Sequence, residues 1–247
     1  NAEGATIAAV AGGTSDIDND GTIDAVTSGS TTVANDGTIT TIDTGDAVIN
    51  NAGTIGSGGV SAAGLDLVNS GDVEADVLAT GTTTIDNSGT IAGSITTGEG
   101  GDSVTNQSSG LISAGLSLGA GSDDLINDGT INGDVDLGTG DNTFSNSSDN
   151  SINGNITAEG DDDTGVNTGT ITGNVDLKAG NNSFTNDGTV TGNFTSADGS
   201  DTFVNNGVFT GDITVGDGDN FVTNNGAIIG NLIAGDGNDT IIFGEGA

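Results

Sequence analysis

Residues 127–146 read Asn-Asp-Gly-Thr-Ile-Asn-Gly-Asp-Val-Asp-Leu-Gly-Thr-Gly-Asp-Asn-Thr-Phe-Ser-Asn, and they contain one full period of a repeat that runs through the chain. The repeat opens with Asn, any residue, Gly, any residue and an apolar residue. This apolar position occurs twelve times, with successive spacings of 16, 16, 18, 18, 21, 19, 21, 19, 19, 19 and 19 residues. The twelve positions are Ile23, Ile39, Ile55, Val73, Ile91, Ile112, Ile131, Ile152, Ile171, Val190, Phe209 and Ile228.

The residues after the apolar position, which we call i, alternate in character. In the later repeats i+2 is small and i+4 and often i+6 are apolar, as in Ile131, Gly133, Val135 and Leu137. Such alternation predicts short strands with one inward face. A second inward column is predicted at i+13, and its members are Val104, Leu125, Phe144, Phe184, Phe203, Val222 and Ile241.

A period near nineteen residues with several short strands predicts an all-β fold, a parallel β-helix or β-roll solenoid of about twelve coils of 16–21 residues. Twelve coils that rise roughly 4.8 Å each predict a rod of about 58 Å. The first coils are shorter and lack the Gly-rich turn that later coils carry at i+7 to i+11. We therefore divide the chain into residues 1–90 and residues 91–247, as two parts of one continuous solenoid.

One coil departs from the pattern. In the coil of Ile152, Gly165 stands at the apolar i+13 position, and Asp161, Asp162 and Asp163 follow one another in the turn. This crowding predicts a local bulge.

The composition excludes most enzyme chemistry and several classes of partner. The chain has 36 acidic residues against one basic residue, Lys178, and it has no His and no Cys. Histidine as a general base and thiol as a nucleophile are therefore excluded. A formal net charge of −35 argues against nucleic acid and anionic membrane as partners, because both bind through clustered Lys and Arg. Small cations are the expected counterions.

The Gly-rich turns carry the candidate site. Position i+11 is Asp or Asn in all eight later coils, and stacking would place these oxygens roughly 4.8 Å apart, beside glycine carbonyls. Ca²⁺ takes six to eight such oxygens, so a calcium ladder is one reading. The other is a solvated turn in which Asn side chains bond along the stack. The residues are Asp102, Asp123, Asn142, Asp163, Asn182, Asp201, Asn220 and Asp239.

Two other acidic stretches resemble functional sites in part. Residues 16–23 read like the opening of an EF-hand loop, but the twelfth position is Thr27 where a bidentate Glu is needed. The carboxylates of Asp161–Asp163 can be imagined as an acid and base for glycoside cleavage, yet nothing in the sequence marks a cleft or an aromatic sugar platform. We therefore expect no enzyme.

The motif resembles known bacterial surface proteins. The Asn-x-Gly-x-Ile-x-Gly-x-Val pattern over residues 19–232 is similar to the passenger repeats of autotransporters and adhesins. The turns from residue 98 onward, above all Gly235-Asp236-Gly237-Asn238-Asp239, resemble RTX-type calcium-binding solenoids, some of which bind ice. The resemblance implies a secreted, extracellular or cell-surface protein.

These observations lead to two expected functions. The first is a structural rod, such as a filament subunit, stalk, surface-layer component or adhesin shaft, that associates end to end. The alternative is a calcium-dependent RTX-type module that binds ice or a surface polymer. An outward Thr column at i−1, which includes Thr130, Thr170 and Thr189 but is interrupted elsewhere, partly favours the alternative.

Overall fold

The computed structural model describes residues 1–244 and shows a parallel β-solenoid of about 13 turns. Its 34 strands form one continuous sheet. The described residues contain no helix, and so none that is long and apolar enough to cross a membrane. The predicted all-β solenoid is confirmed.

The strands lengthen or shorten with the type of coil. In the first coils they are long, and their bounds are β1 Thr6–Ile7, β2 Val10–Asn19, β3 Thr22–Ile23, β4 Val26–Asn35, β5 Thr38–Asn51, β6 Thr54–Ala62, β7 Gly64–Asn69, β8 Asp72–Val73, β9 Val77–Ala79 and β10 Thr83–Asn87. Those of the middle coils are β11 Thr90–Ile91, β12 Ile95–Thr96, β13 Ser103–Asn106, β14 Leu111–Ile112, β15 Leu116–Ser117, β16 Asp124–Asn127, β17 Thr130–Ile131, β18 Val135–Asp136, β19 Thr143–Asn146, β20 Ser151–Ile152, β21 Ile156–Thr157 and β22 Thr164–Asn167. The remaining bounds are β23 Thr170–Thr172, β24 Val175–Lys178, β25 Ser183–Asn186, β26 Thr189–Thr191, β27 Phe194–Ser196, β28 Thr202–Asn205, β29 Val208–Thr210, β30 Ile213–Thr214, β31 Phe221–Asn224, β32 Ala227–Ile229, β33 Leu232–Ile233 and β34 Thr240–Phe243.

Each later coil contributes three short strands, and each strand pairs in parallel with its counterparts in the coils before and after. Strand β19, for example, aligns Phe144 with Leu125 of β16. Like residues therefore stack on like, as the nineteen-residue period predicts. Pairing continues across residue 90, because β10 pairs with both β7 and β13.

The number of turns exceeds the twelve that the motif predicts. Strands β1 and β2 pair with β3 and β4, so the residues before the first motif form an additional coil. The sequence Ala5–Val10 lacks the Asn-x-Gly signature and for that reason gave no sign of it. Asp16 and Asp18 lie on β2, so the stretch that reads like an EF-hand opening begins as a strand.

Apolar side chains fill the interior, and their most tightly packed part is a run of phenylalanines. Phe184, Phe194, Phe203 and Phe209 are fully buried. The ring centroids of Phe194 and Phe203 lie 4.9 Å apart, and those of Phe203 and Phe209 lie 5.6 Å apart. The predicted inward column at i+13 is thus observed, except that Ile241 in the last described coil is 41% exposed.

The coil of Gly165 does not bulge where the sequence predicts. Gly165 pairs in register with Phe144 below and Phe184 above. The two phenyl rings stack across it with centroids 6.0 Å apart, and a Cβ on Gly165 would overlap the Phe144 ring. The glycine makes room for two large neighbours, which removes the need for a bulge. The nearest register shift lies one coil later, between Asp176 and Lys178.

The two coils with a spacing of 21 residues absorb their extra residues at one corner. In both, the chain turns between the strand that ends in Asn and the next strand, and backbone bonds from Gly110 to Gln107 (2.7 Å) and from Asn150 to Ser147 (3.3 Å) close these turns. The strands on either side keep their register. Coil length therefore varies without disturbing the interior.

Candidate functional site

The eight predicted turn residues form one continuous hydrogen-bonded column, which we call the turn ladder. The backbone N–H of each member donates to the side-chain Oδ1 of the member in the next coil, for example from Asp102 to Asp123 at 2.7 Å and from Asn182 to Asp201 at 2.8 Å. The first bond comes from Thr83, whose N–H lies 2.7 Å from Asp102 Oδ1. The remaining bonds join Asp123 to Asn142, Asn142 to Asp163, Asp163 to Asn182, Asp201 to Asn220 and Asn220 to Asp239.

The turn ladder lies inside the solenoid and not on its surface. Seven of its eight members are at most 2% exposed, and only Asp239, in the last described coil, is half-buried. Neighbouring glycines with positive φ, such as Gly138 at 78° and Gly140 at 107°, bend the backbone so that the side chain after them points inward. A solvated turn was the sequence-based alternative, and the burial contradicts its solvent exposure.

The side-chain amides of the three turn-ladder asparagines donate to backbone carbonyls of the turn. Asn142 Nδ2 donates to the carbonyl of Gly140 at 2.8 Å. Asn220 Nδ2 lies 3.1 Å from the Gly216 carbonyl and 3.3 Å from the Gly218 carbonyl. The Asn182 amide contacts the carbonyls of Lys178 (3.2 Å) and Gly180 (3.4 Å) in the same way.

Each of the four buried aspartates of the turn ladder has one side-chain oxygen without a hydrogen-bond partner. Oδ2 of each is buried and has no hydrogen-bond partner, although Oδ1 is bonded to the coil below. Burial raises the pKa of Asp123 and that of Asp163 to about 6, and it raises the pKa values of the other two as well. These buried aspartates are Asp102, Asp123, Asp163 and Asp201.

The geometry of the turn ladder bears on the calcium prediction. Among residues 1–244, no three His, Cys, Asp or Glu side chains form a group that could hold a metal ion. Each coil supplies one buried carboxylate, together with the carbonyl oxygens of the turn. The unpartnered Oδ2 atoms and the turn carbonyls fit a hard cation by ligand type, so they are the atoms that would hold Ca²⁺. The calcium ladder stays a prediction.

A second column, which we call the corner ladder, has a role that the sequence reading missed. The Asn that opens each repeat points inward, and its Nδ2 donates to Oδ1 of the Asn in the next coil at 2.7–2.9 Å. Its members, all at most 3% exposed, are Asn19, Asn35, Asn51, Asn69, Asn87, Asn106, Asn127, Asn146, Asn167, Asn186, Asn205 and Asn224. The sequence signal that could have predicted this ladder is the Asn that recurs once in each coil.

The corner-ladder amides from Asn19 to Asn205 also donate to backbone carbonyls where the chain turns. Asn186 Nδ2 lies 3.4 Å from the carbonyl of Gly188 and 3.3 Å from that of Val208 in the next coil. Buried carbonyls without a partner are costly, so the ladder stabilises the corner from within. This column holds coils together and shows no catalytic grouping.

Comparison of the chain with protein-family models, with curated proteins and with solved structures finds no match.

Proposed function

We propose that the chain is a non-enzymatic structural rod of an extracellular or cell-surface protein, and that rods associate end to end. The observation that carries the proposal is the unbroken stack of about 13 turns with two internal polar ladders. Such a stack suits a stalk, filament subunit, surface-layer component or adhesin shaft, because each coil is stabilised only by its neighbours and the length grows with the number of coils.

The last described coil supports the end-to-end association. In its last strand, β34, Phe243 is 63% exposed and Ile241 is 41% exposed, although they align with the buried Asn224 and Val222 of the coil below. Within residues 1–244, strand β34 pairs only with β31, so its other edge has N–H and C=O groups without a strand partner there. A second copy that stacks on this end would cover both the apolar side chains and the edge. Such head-to-tail contact does not close, so it propagates as a filament.

Replacing Phe243 with Glu should weaken this association, because it places a charge in the stacking surface. The matched control is Phe221→Glu, since Phe221 is 42% exposed on the outward side of β31, one coil below the last strand. We expect negative-stain electron microscopy and sedimentation velocity to show filaments for the unsubstituted chain and the control, and single rods for Phe243→Glu. A chain that sediments as a single rod at high concentration would contradict the proposal.

A second candidate function is supported by one surface, which we call the flat face. It consists of the outward positions i−1 and i+1 in eight consecutive coils, which stack in register. Of these two columns, only the one at i−1 was predicted from the sequence. Its sixteen residues are Thr90, Ala92, Leu111, Ser113, Thr130, Asn132, Ser151, Asn153, Thr170, Thr172, Thr189, Thr191, Val208, Thr210, Ala227 and Ile229.

The flat face has no charged residue, although 36 of the 247 residues are acidic. In the first coils the same positions include Asp24, Asp72 and Glu74. Hydroxyl and methyl groups repeat roughly every 4.8 Å along the rod and about 7 Å across it. A cation would be drawn to the acidic turns, so this neutral array favours a neutral, hydroxyl-bearing surface polymer. In this alternative the chain is an RTX-type module in which calcium stabilises the turns and the flat face binds the polymer.

A glutamate pair on the flat face tests this alternative. Thr172→Glu with Thr191→Glu places two charges on adjacent coils of the face, whereas Thr157→Glu with Thr195→Glu places them on the outward side of other strands. We expect the first pair to abolish co-sedimentation with crystalline cellulose and the control pair to retain it, in buffers with and without Ca²⁺. Activity in an ice-recrystallisation assay without polysaccharide binding would assign the face to ice. Equal binding by both pairs of variants would show that the flat face is not the binding surface.

A further inference from the structure

The turn ladder contains two chemically different kinds of coil. In all of them Oδ1 accepts the N–H of the coil below, so the side chains share one orientation. The second side-chain atom therefore occupies equivalent positions. In the Asn coils this atom is an amide nitrogen that donates to turn carbonyls, and in the Asp coils it is an oxygen without a partner.

In the Asp coils the carboxylate Oδ2, a hydrogen-bond acceptor, thus faces turn carbonyl oxygens, which are also acceptors. Asn142 donates to the carbonyl two residues earlier, that of Gly140, and Asn220 donates to that of Gly218. The residues two before the buried aspartates are Gly100, Gly121, Asp161 and Gly199. A carboxylate oxygen and a carbonyl oxygen attract one another only through a hydrogen or a cation placed between them.

The hydroxyls near these aspartates are hydrogen-bonded to backbone carbonyls. Thr97 lies beside Asp102, but its Oγ1 donates to the Leu118 carbonyl at 2.6 Å. Ser196 lies beside Asp201, and its hydroxyl lies 3.4 Å from the Lys178 carbonyl and accepts from an amide. The four Oδ2 atoms remain without a donor from the protein.

Side chains of the protein cannot supply a positive charge either. The only basic residue of the sequence, Lys178, is exposed and pairs with Asp176. The charged groups that act on the buried aspartates are themselves acidic and are Asp102 toward Asp123, Asp141 and Asp161 toward Asp163, and Asp162 toward Asp201. Any positive partner must therefore come from the solvent.

We propose that each of the four buried aspartates binds a positive species from solvent, a proton or a metal cation, between its Oδ2 and the turn carbonyls. The Asn coils need none, because their own amide fills the same position. Each Asp coil is thus a binding site, whereas in each Asn coil the side-chain amide group already occupies the equivalent position. The raised pKa values of these carboxyls agree with a proton as the occupant at mildly acidic pH.

Replacing Asp123 with Asn tests the proposal in the full chain, because Asn carries its own donor. At pH 7.5 in a chelating buffer without divalent cations, we expect the melting temperature to rise by roughly 3–8 °C, since a buried charge is removed and the carbonyl gains a donor. The matched control is Asp43→Asn, which removes the same charge from an exposed position. The reverse change, Asn182→Asp, should lower the melting temperature under the same conditions.

Two further conditions separate the occupants. The folded pKa of Asp123, about 6, exceeds its unfolded value of 3.8, so stability is gained as pH falls from about 6 toward 4 and is lost as pH rises through this window. If a proton is the occupant, the difference between Asp123→Asn and the unsubstituted chain should vanish near pH 4. If a metal cation is the occupant, millimolar Ca²⁺ at pH 7.5 should remove the difference, and Mg²⁺ at equal ionic strength should not.

Other results would overturn the proposal. An Asp123→Asn variant that melts no higher than Asp43→Asn in the chelating buffer would show that Oδ2 needs no positive partner. A stabilising effect that persists unchanged at pH 4 and in Ca²⁺ would show that neither a proton nor Ca²⁺ occupies the position beside Asp123 Oδ2.

Discussion

Replacing Phe203 with Ala should lower the free energy of unfolding by about 3–5 kcal/mol, the usual cost of removing a buried aromatic ring. Phe203 is fully buried and lies at the centre of the phenylalanine run. Its ring centroid is 6.0 Å from that of Phe184, 4.9 Å from that of Phe194 and 5.6 Å from that of Phe209. These rings belong to different strands, so the cavity would loosen several coils at once.

Urea unfolding followed by circular dichroism measures this loss. Phe221→Ala is the matched control, since Phe221 faces outward and is 42% exposed, so its replacement should change stability by less than about 1 kcal/mol. Equal midpoints for the two variants would mean that Phe203 is not in the interior.

Replacing Asn186 with Asp should be as damaging, at about 3–5 kcal/mol near neutral pH, because it buries a carboxylate without a positive partner. In the folded chain Asn186 Nδ2 donates to Asn205 Oδ1 at 2.8 Å. An Asp in this place would put a carboxylate oxygen against Asn205 Oδ1 and against the carbonyl oxygens of Gly188 and Val208. The corner ladder would be interrupted at one step.

The same urea titration, at pH 7.5 and pH 4, measures this effect. Asn50→Asp makes the same chemical change on an exposed outward position and should be nearly neutral. Acid should restore part of the stability of Asn186→Asp, because a protonated carboxyl can again donate to Asn205 Oδ1. A variant as stable as Asn50→Asp at pH 7.5 would show that the corner ladder does not contribute to folding.

The fold was predictable from the sequence because the repeat places apolar residues at constant intervals. The columns that include Ile131 and Phe144 are inward in the structure as the alternation predicts. Variation in coil length did not mislead the prediction, since the two extra residues of the longer coils lie at a corner, outside the strands. The first coil was missed, because strand β2 has the shape of its neighbours without their motif.

Local consequences of packing were harder to predict. Gly165 suggests a bulge when its coil is read alone, and only the rings of Phe144 and Phe184 explain the glycine. The turn ladder poses a similar problem. Asp and Asn alternate there as if they were equivalent, and the difference between them emerges only when the second side-chain atom is seen to face carbonyls.

The corner ladder also makes the rod polar. Every amide from Asn19 to Asn205 donates toward the following coil, and Asn1 Nδ2 begins the series with a bond of 2.9 Å to Asn19 Oδ1. The side-chain dipoles are therefore parallel, and they add along the axis as peptide dipoles do in a helix. Each amide turns its oxygen toward the N-terminal end and its N–H toward the C-terminal end, where the column stops below Phe243, the residue that aligns with Asn224. Because each coil from Asn19 to Asn205 adds a dipole of the same sense, the stack has an electrostatic direction along its axis that is independent of the charged side chains.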